Sequence, residues 1–424
     1  MILTSLLAFA PIVSSPVTLP PAQSGTFVLK ARRVEIGDGE VMEHAVMLIQ
    51  DGKIVTMGQD LPVEGGLPVV ELDDDQVVMP GIINPYTRYG MSGGGFNDSR
   101  PNVMASSELY PSLSYDAFLE NGVTTIAQYP AGVGIPGQAV GIRPLFGTAE
   151  SMTVADGVYL KIVMRNSSGN KRNLRQGFEK ADQHLKKVET EREKFEKKNS
   201  KSKSKSKSKK DDKEEGEKKA GKKSTSKKKE VFVAPEPDPR VQPFFDLRDG
   251  KLRALFSINS AASYEHLIDA IGEEEFEWHL RIPLSREIDV FHVKDKIGEL
   301  GIYTVMEPVL TLQPGTLRQR NLPAEFDRAG TKLILVPRAD TVSSFESFLG
   351  DVGVMIGAGL DRAAAVRAVT MHPAGMLGLS DEYGTLEEGK HANLVVYSGD
   401  PFQPGTKIEA VLLDGEFVIG DLDQ

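Results

Sequence analysis

The chain has 424 residues, a formal net charge of −10 and 40% hydrophobic residues. That length suits one large domain with a small companion, and that composition excludes a disordered or membrane-embedded chain. With no cysteine, disulfides, Cys-based zinc sites and Cys nucleophiles are excluded. The charge is unevenly spread. Residues 191–230 hold 18 Lys/Arg against 9 Asp/Glu, so the remainder is strongly acidic, which argues against nucleic acid as a partner of the folded part.

Residues 1–25 open with an apolar run, Ile2 to Ala10, followed by small residues and prolines. They read as a secretory signal peptide without a basic n-region, and predict export. Residues 26–79 read as short strands broken by turns, with Asp51-Gly52 as a hairpin signal. At the other end, residues 384–424 hold three further strand-like runs, Ala392 to Tyr397 and two around Asp414-Gly415. Neither piece is long enough for its own core, so the two are expected to combine in one small β-sandwich domain.

Between them, residues 80–383 alternate strand-like and helix-like runs. The strand-like runs include Tyr159 to Met164, Leu252 to Ile258, Tyr303 to Met306 and Lys332 to Val336. Repeated β-then-α order suggests a parallel α/β barrel or a doubly wound sheet. Residues 187–230 interrupt this order with a Lys/Ser-rich segment that carries almost no apolar side chain, predicting a disordered insertion in a barrel loop. The bland reading is a solvated loop; the functional one is a tether to an anionic surface through residues 191–230.

Three blocks carry a family resemblance. The first is residues 45–83, ending in Pro80-Gly81-Ile82-Ile83. The second is Gly132 to Ala139, with Gly122-Val123-Thr124-Thr125 upstream. The third runs from Gly359 through Met371-His372-Pro373-Ala374 to Lys390. Together they resemble the amidohydrolase superfamily, and its imidazolonepropionase-like branch most. The resemblance implies an α/β fold: a metal-dependent-hydrolase-like (β/α)8 TIM barrel with a small β-sandwich domain built from both chain ends. It also implies hydrolysis of non-peptide, cyclic amide-like carbon–nitrogen bonds in a small-molecule substrate, by a binuclear metal centre that activates water.

In that family the first strand is followed by His-x-His, and further ligands come from strands five, six and eight, sometimes with a carboxylated Lys on strand four. Here Asn84, Tyr86 and Arg88 stand at the first-strand positions, and an arginine has no lone pair to offer a cation. Asn259 stands where strand five would place a His. Arg338 takes the strand-eight Asp position by spacing, and Asp340 replaces it only with a two-residue slip. Lys161 lies inside the candidate fourth strand. The expected vestigial pocket is Asn84, Tyr86, Arg88, Asn259, Glu307, Arg338 and Asp340. No metal or other cofactor is expected, unless His279, Glu307 and Asp340 rebuild a zinc or other divalent site.

Three functions follow. The first is a carbon–nitrogen hydrolase without the usual binuclear centre. The second is a catalytically inactive barrel in which Arg88 and Arg338 hold a polar or anionic small molecule. The third is an interaction protein acting through its basic insertion.

Overall fold

Five strands begin the described chain: β1 (Phe27–Glu35), β2 (Val41–Gln50), β3 (Lys53–Gln59), β4 (Val69–Glu71) and β5 (Val77–Pro80). The computed structural model describes residues 25–63, 65–91, 94–95, 98–207 and 231–420. The signal-peptide segment, apart from Gly25, and the basic stretch from residue 208 onward lie outside these residues.

The second group comprises β6 (Ile82–Thr87), β7 (Val123–Gln128), β8 (Gly137–Ile142), β9 (Thr153–Val163), β10 (Ala254–Ser257), β11 (Trp278–Arg281) and β12 (Tyr303–Met306). A small hairpin follows, β13 (Thr311–Leu312) with β14 (Gln319–Arg320), and then β15 (Lys332–Leu335). The chain ends on β16 (Leu394–Tyr397), β17 (Ile408–Leu413) and β18 (Glu416–Ile419).

Strands of both chain ends join one eight-stranded sheet in the order β18-β17-β16-β5-β1-β2-β3, with β4 also on β1. Its apolar faces close on a shared cluster that includes Leu29, Met47, Ile54, Val78, Leu394 and Leu412. The expected two-sheet sandwich is not what the described strands form: they hydrogen-bond into a single continuous sheet. Two of its hairpins turn on Asp-Gly pairs. Asp51 and Gly52 have φ of 49° and 80°, and Asp414 and Gly415 have 48° and 71°. Both central residues are left-handed, the geometry that a two-residue hairpin loop requires.

The second sheet curls in the order β15-β12-β11-β10-β9-β8-β7-β6. Its strands are parallel except β8, which is antiparallel to both β7 and β9. The fully parallel barrel expected from the β-then-α order is corrected here. The Gly-rich segment after β7 is too short for the dozen or more residues of a crossover, so the chain turns straight back. Helix Met371–Leu377 packs against both β6 and β15, bridging the ends of the curl.

Inward positions follow the two-residue period of a strand. Ile83, Ala127, Tyr159, Leu255, Val305 and Ile334 fill the barrel interior, while Phe256, Leu280, Met306 and Leu335 face the helical layer. Gly81 sits where β5 hands over to β6. A Cβ there would lie 2.0 Å from the Thr124 hydroxyl oxygen on β7, so only glycine allows the two strands to approach.

The helix Ser168–Lys207 continues well into the insertion. Residues 187–207, expected to be disordered, are therefore helical. Pairs at i,i+4, Arg192 with Glu196 at 3.3 Å and Glu193 with Lys197 at 3.1 Å, support such an exposed helix. Among the described residues no helix is long and apolar enough to cross a membrane.

Candidate functional site

The C-terminal ends of the curled strands gather a polar cluster above the apolar interior. On β6, Asn84 is buried and its Oδ1 accepts from the Tyr86 amide at 3.2 Å. That bond fixes the strand end from which Tyr86 turns inward. The Tyr86 ring lies against the Tyr129 ring, 4.1 Å between centroids. Below them, the Tyr159 hydroxyl donates to the Pro85 carbonyl at 3.1 Å.

Lys161 follows Tyr159 by two residues on β9 and shares its inward face. Its Nζ stands 3.5 Å from the Tyr129 ring centroid and 5.3 Å from that of Tyr86. The residue is only 8% exposed. Burial, then the nearby charges of Arg88 and Arg281, push the Lys161 amine down to about 7. Burial likewise raises the Tyr86 phenol, against the opposing pull of Arg281, and raises Tyr129 and Tyr159. All three phenols therefore stay protonated through neutral pH.

Arg281 on β11 reaches the same space, with its guanidinium carbon 5.1 Å from the Tyr86 ring centroid. It holds Glu307, just beyond β12, in a two-pronged pair: Nη1 donates to Oε2 at 3.2 Å and Nη2 donates to Oε1. Glu307 Oε2 also accepts from the Leu284 amide at 2.8 Å. Burial disfavours the Arg281 charge, but Glu307 outweighs it and the guanidinium pKa rises.

At the rim, Arg88 donates from Nη1 to the Tyr129 carbonyl at 3.0 Å. Its backbone amide donates to Asp340 Oδ2 at 3.0 Å, and the Thr87 hydroxyl donates to Asp340 Oδ1. Asp340 thus ties the end of the eighth strand to the end of the first, although it is exposed.

Of the pocket expected from the sequence, Asn84, Tyr86, Arg88, Glu307 and Asp340 come together. Two residues do not. Asn259 is exposed and accepts from the Ser263 hydroxyl at 3.0 Å, at the start of the next helix. Arg338 points away, donating to Asp351 at 2.9 Å and to the Pro308 carbonyl at 3.4 Å, so it does not stand beside Arg88. The two-residue slip, with Asp340 reaching the first strand, is the arrangement present.

His279 is also placed elsewhere. It lies two residues before Arg281, deeper in the barrel, with Nε2 3.1 Å from Glu277 and its ring edge-on to Tyr303 at 4.9 Å. It is therefore separated from Glu307 and Asp340 by the Arg281 layer. Among the described residues, no three His, Asp or Glu side chains gather closely enough to hold a metal. The sequence reasoning missed Arg281 and Tyr129 and gave Lys161 no role. Strand parity was the signal: Lys161 is in step with Tyr159, and Arg281 with His279.

An amidohydrolase family model matches residues 334–419. No curated protein matches the chain in sequence. Among solved structures, an amidohydrolase from Thermotoga maritima MSB8 is similar over 93% of this chain and 100% of its own, with 22% identity and a TM-score of 0.67. A second amidohydrolase is similar over 94% of this chain and 100% of its own, with 15% identity and a TM-score of 0.54. A prolidase complexed with N-methylphosphonate-L-proline covers 93% and 100%, with 15% identity and a TM-score of 0.52. At these identities the structural likeness speaks for the fold alone. The C-terminal segment is thus similar to an amidohydrolase family, and the chain shares the fold of the solved amidohydrolases.

Proposed function

We propose that this protein acts on the carbon–nitrogen bond of a small, anionic, amide-like molecule at the barrel mouth, without a binuclear metal centre. The observation that carries the reading is the buried Lys161 beside Arg281, at inner strand-end positions where a hydrolytic metal would need anionic or neutral donors. The donor set suits a divalent ion poorly. Glu307 is committed to Arg281, Asp340 to Thr87 and the Arg88 amide, and Asn84 Oδ1 to the Tyr86 amide; the remaining groups are arginines, protonated phenols and the Lys161 amine.

The side chains offer a substitute chemistry. Arg88 supplies a fixed positive charge at the rim, suited to a carboxylate or a developing oxyanion. Tyr86, kept protonated by burial, serves as a proton donor to a leaving nitrogen. Lys161, with its amine near 7, takes a proton at neutral pH. The imidazolonepropionase-like C-terminal block favours cyclic amides as the substrate class. The exported location and a role of the basic stretch toward an anionic surface are separate proposals that rest on the sequence alone.

The test is metal analysis of the purified protein together with a hydrolase screen on cyclic amides and N-acyl amino acids. Turnover without stoichiometric metal, lost in Arg88→Met, is the expected result. Stoichiometric, tightly bound zinc would overturn the metal-independent reading. Tight binding of these compounds with no turnover would reduce the site to that of an inactive, ligand-binding barrel.

A further inference from the structure

We infer that an exposed lysine stripe on the long helix, formed by Lys187, Lys194 and Lys198, docks this protein on an anionic lipid membrane surface. The inference rests on the tether reading of the basic stretch. It uses no group of the barrel mouth, so it stands or falls apart from the hydrolase reading.

The helix Ser168–Lys207 has two unlike parts. Its first turns are anchored, with Leu174, Phe178 and Ala181 buried in the layer around the barrel. Beyond Ala181 none of its described residues is buried. At 1.5 Å per residue, Lys198 stands about 25 Å along the axis from Ala181. That is some three Debye lengths of about 8 Å at physiological salt. The repulsion between an anionic surface and the acidic body is screened over such a span.

Charge on this outer part is sorted by side. With 3.6 residues per turn, positions 187, 194 and 198 fall together. All three lysines are exposed, and among the described residues none enters an ion pair. Half-buried Glu191 borders this stripe. Asp182, Glu189, Glu193 and Glu196 fall on the opposite side. There Arg192 pairs with Glu196 and Lys197 with Glu193. The cations beside the acidic row are thus neutralised, and those of the stripe face solvent uncompensated.

The chemistry of the stripe selects its partner. It holds no arginine fork to grip a phosphate and no aromatic face to stack on a base, the groups that nucleic-acid recognition employs. Phe195 is turned aside, with its ring 5.6 Å from that of Phe232 on the returning chain. Contact is therefore by charge, without insertion of an apolar side chain. A row of lysines along one side of a helix meets a flat surface over its whole length. Polybasic helices of this kind are attracted to anionic lipid headgroups. The sequence continues with lysine at 201, 203, 205 and 207.

The experiment is co-sedimentation of the full chain with phosphatidylcholine vesicles, with or without about one third phosphatidylglycerol. Binding is expected only to the anionic vesicles and is expected to vanish in roughly 0.5 M salt. Lys187→Gln, Lys194→Gln and Lys198→Gln in one chain are expected to weaken it roughly a hundredfold. The control, Lys186→Gln with Arg192→Gln and Lys197→Gln, changes the net charge equally but off the stripe. It is expected to bind within roughly threefold of the parent, since the helix is about 10 Å across. Native circular dichroism in both variants excludes a folding defect. Equal loss in the two variants, or no loss in the first, would overturn the stripe and leave the tether reading standing. Equal binding to neutral and anionic vesicles, or to neither, would overturn the tether reading too. Displacement from the vesicles by duplex DNA at matched charge would overturn the lipid assignment.

Discussion

Arg281 and Glu307 face each other inside the barrel as a buried two-pronged pair, on neighbouring strands of the curled sheet. Each is largely shielded from water and each neutralises the other, although the buried Arg281 Nε has no hydrogen-bond partner. Removing one partner strands the other charge in a medium that solvates it poorly. Glu307→Ala is therefore expected to lower stability by about 3–5 kcal/mol, read from the midpoint of denaturant unfolding. The double replacement Arg281→Met with Glu307→Leu is expected to be far milder. If the double variant is as unstable as the single one, the pair is not the cause.

Lys161 sets a stability change at neutral to alkaline pH. Its amine falls from the usual 10.5 to about 7 in the folded chain. A lowered pKa means that the unfolded chain binds more protons between those values. The contribution to stability is therefore fully present above 10.5 and is lost as pH falls through about 7. Lys161→Met is expected to raise stability at pH 6, by on the order of a few kcal/mol, and to flatten the slope between pH 7 and 10. Parallel pH profiles for the two proteins would contradict the burial argument.

His372 governs an acid limb. Its Nδ1–H donates to the Leu333 carbonyl at 2.8 Å, and burial lowers the ring to about 4. The contribution is present above the usual 6.5 and is lost as pH falls through about 4. Acid unfolding, followed by the fluorescence of the single tryptophan, Trp278, should steepen across this window. His372→Asn is expected to be less stable at pH 7 and to show a shallower acid limb.

Gly81→Ala tests the strand junction. The new methyl would meet the Thr124 hydroxyl at 2.0 Å and its methyl at 2.4 Å. Overpacking of this kind costs about 1–3 kcal/mol. Thr124→Ala in the same chain removes these two atoms but keeps the Cβ, 2.7 Å from the new methyl, and is therefore expected to recover part of the melting temperature. No recovery would place the strain elsewhere.

Features governed by local chemistry were legible in the sequence. The Asp-Gly turns at 51–52 and 414–415 need only two residues to specify a left-handed pair, and Pro80-Gly81 marks a place where a side chain has no room. Asn84, Tyr86 and Arg88 could be placed because they lie on, or one residue beyond, the strand that directly follows Pro80-Gly81. Arg338 and Asn259 were misplaced because both lie beyond a strand end, where alternation no longer sets direction. Pro337 breaks the count before Arg338, and Asn259 is drawn to Ser263 at a helix start. His279 and Arg281 share a face, yet two residues are about 6–7 Å along a strand. Choosing between them required depth, which residue type does not report. The antiparallel β8 depended on a connection length that the β-then-α pattern obscured.

The sheet built from both chain ends also dictates an order of assembly. β5 pairs through Pro80 with Leu394 of β16, and the Thr56 hydroxyl meets Glu388 at a separation of 332 positions. During synthesis from the N-terminus, β5 therefore emerges with an unpaired edge and waits for nearly the whole barrel to follow. Such distant closure slows folding and leaves an edge open to foreign strands. Nascent chains stalled before β16 should accordingly be the aggregation-prone and protease-sensitive form of this protein, and release of the last strands the step that seals it.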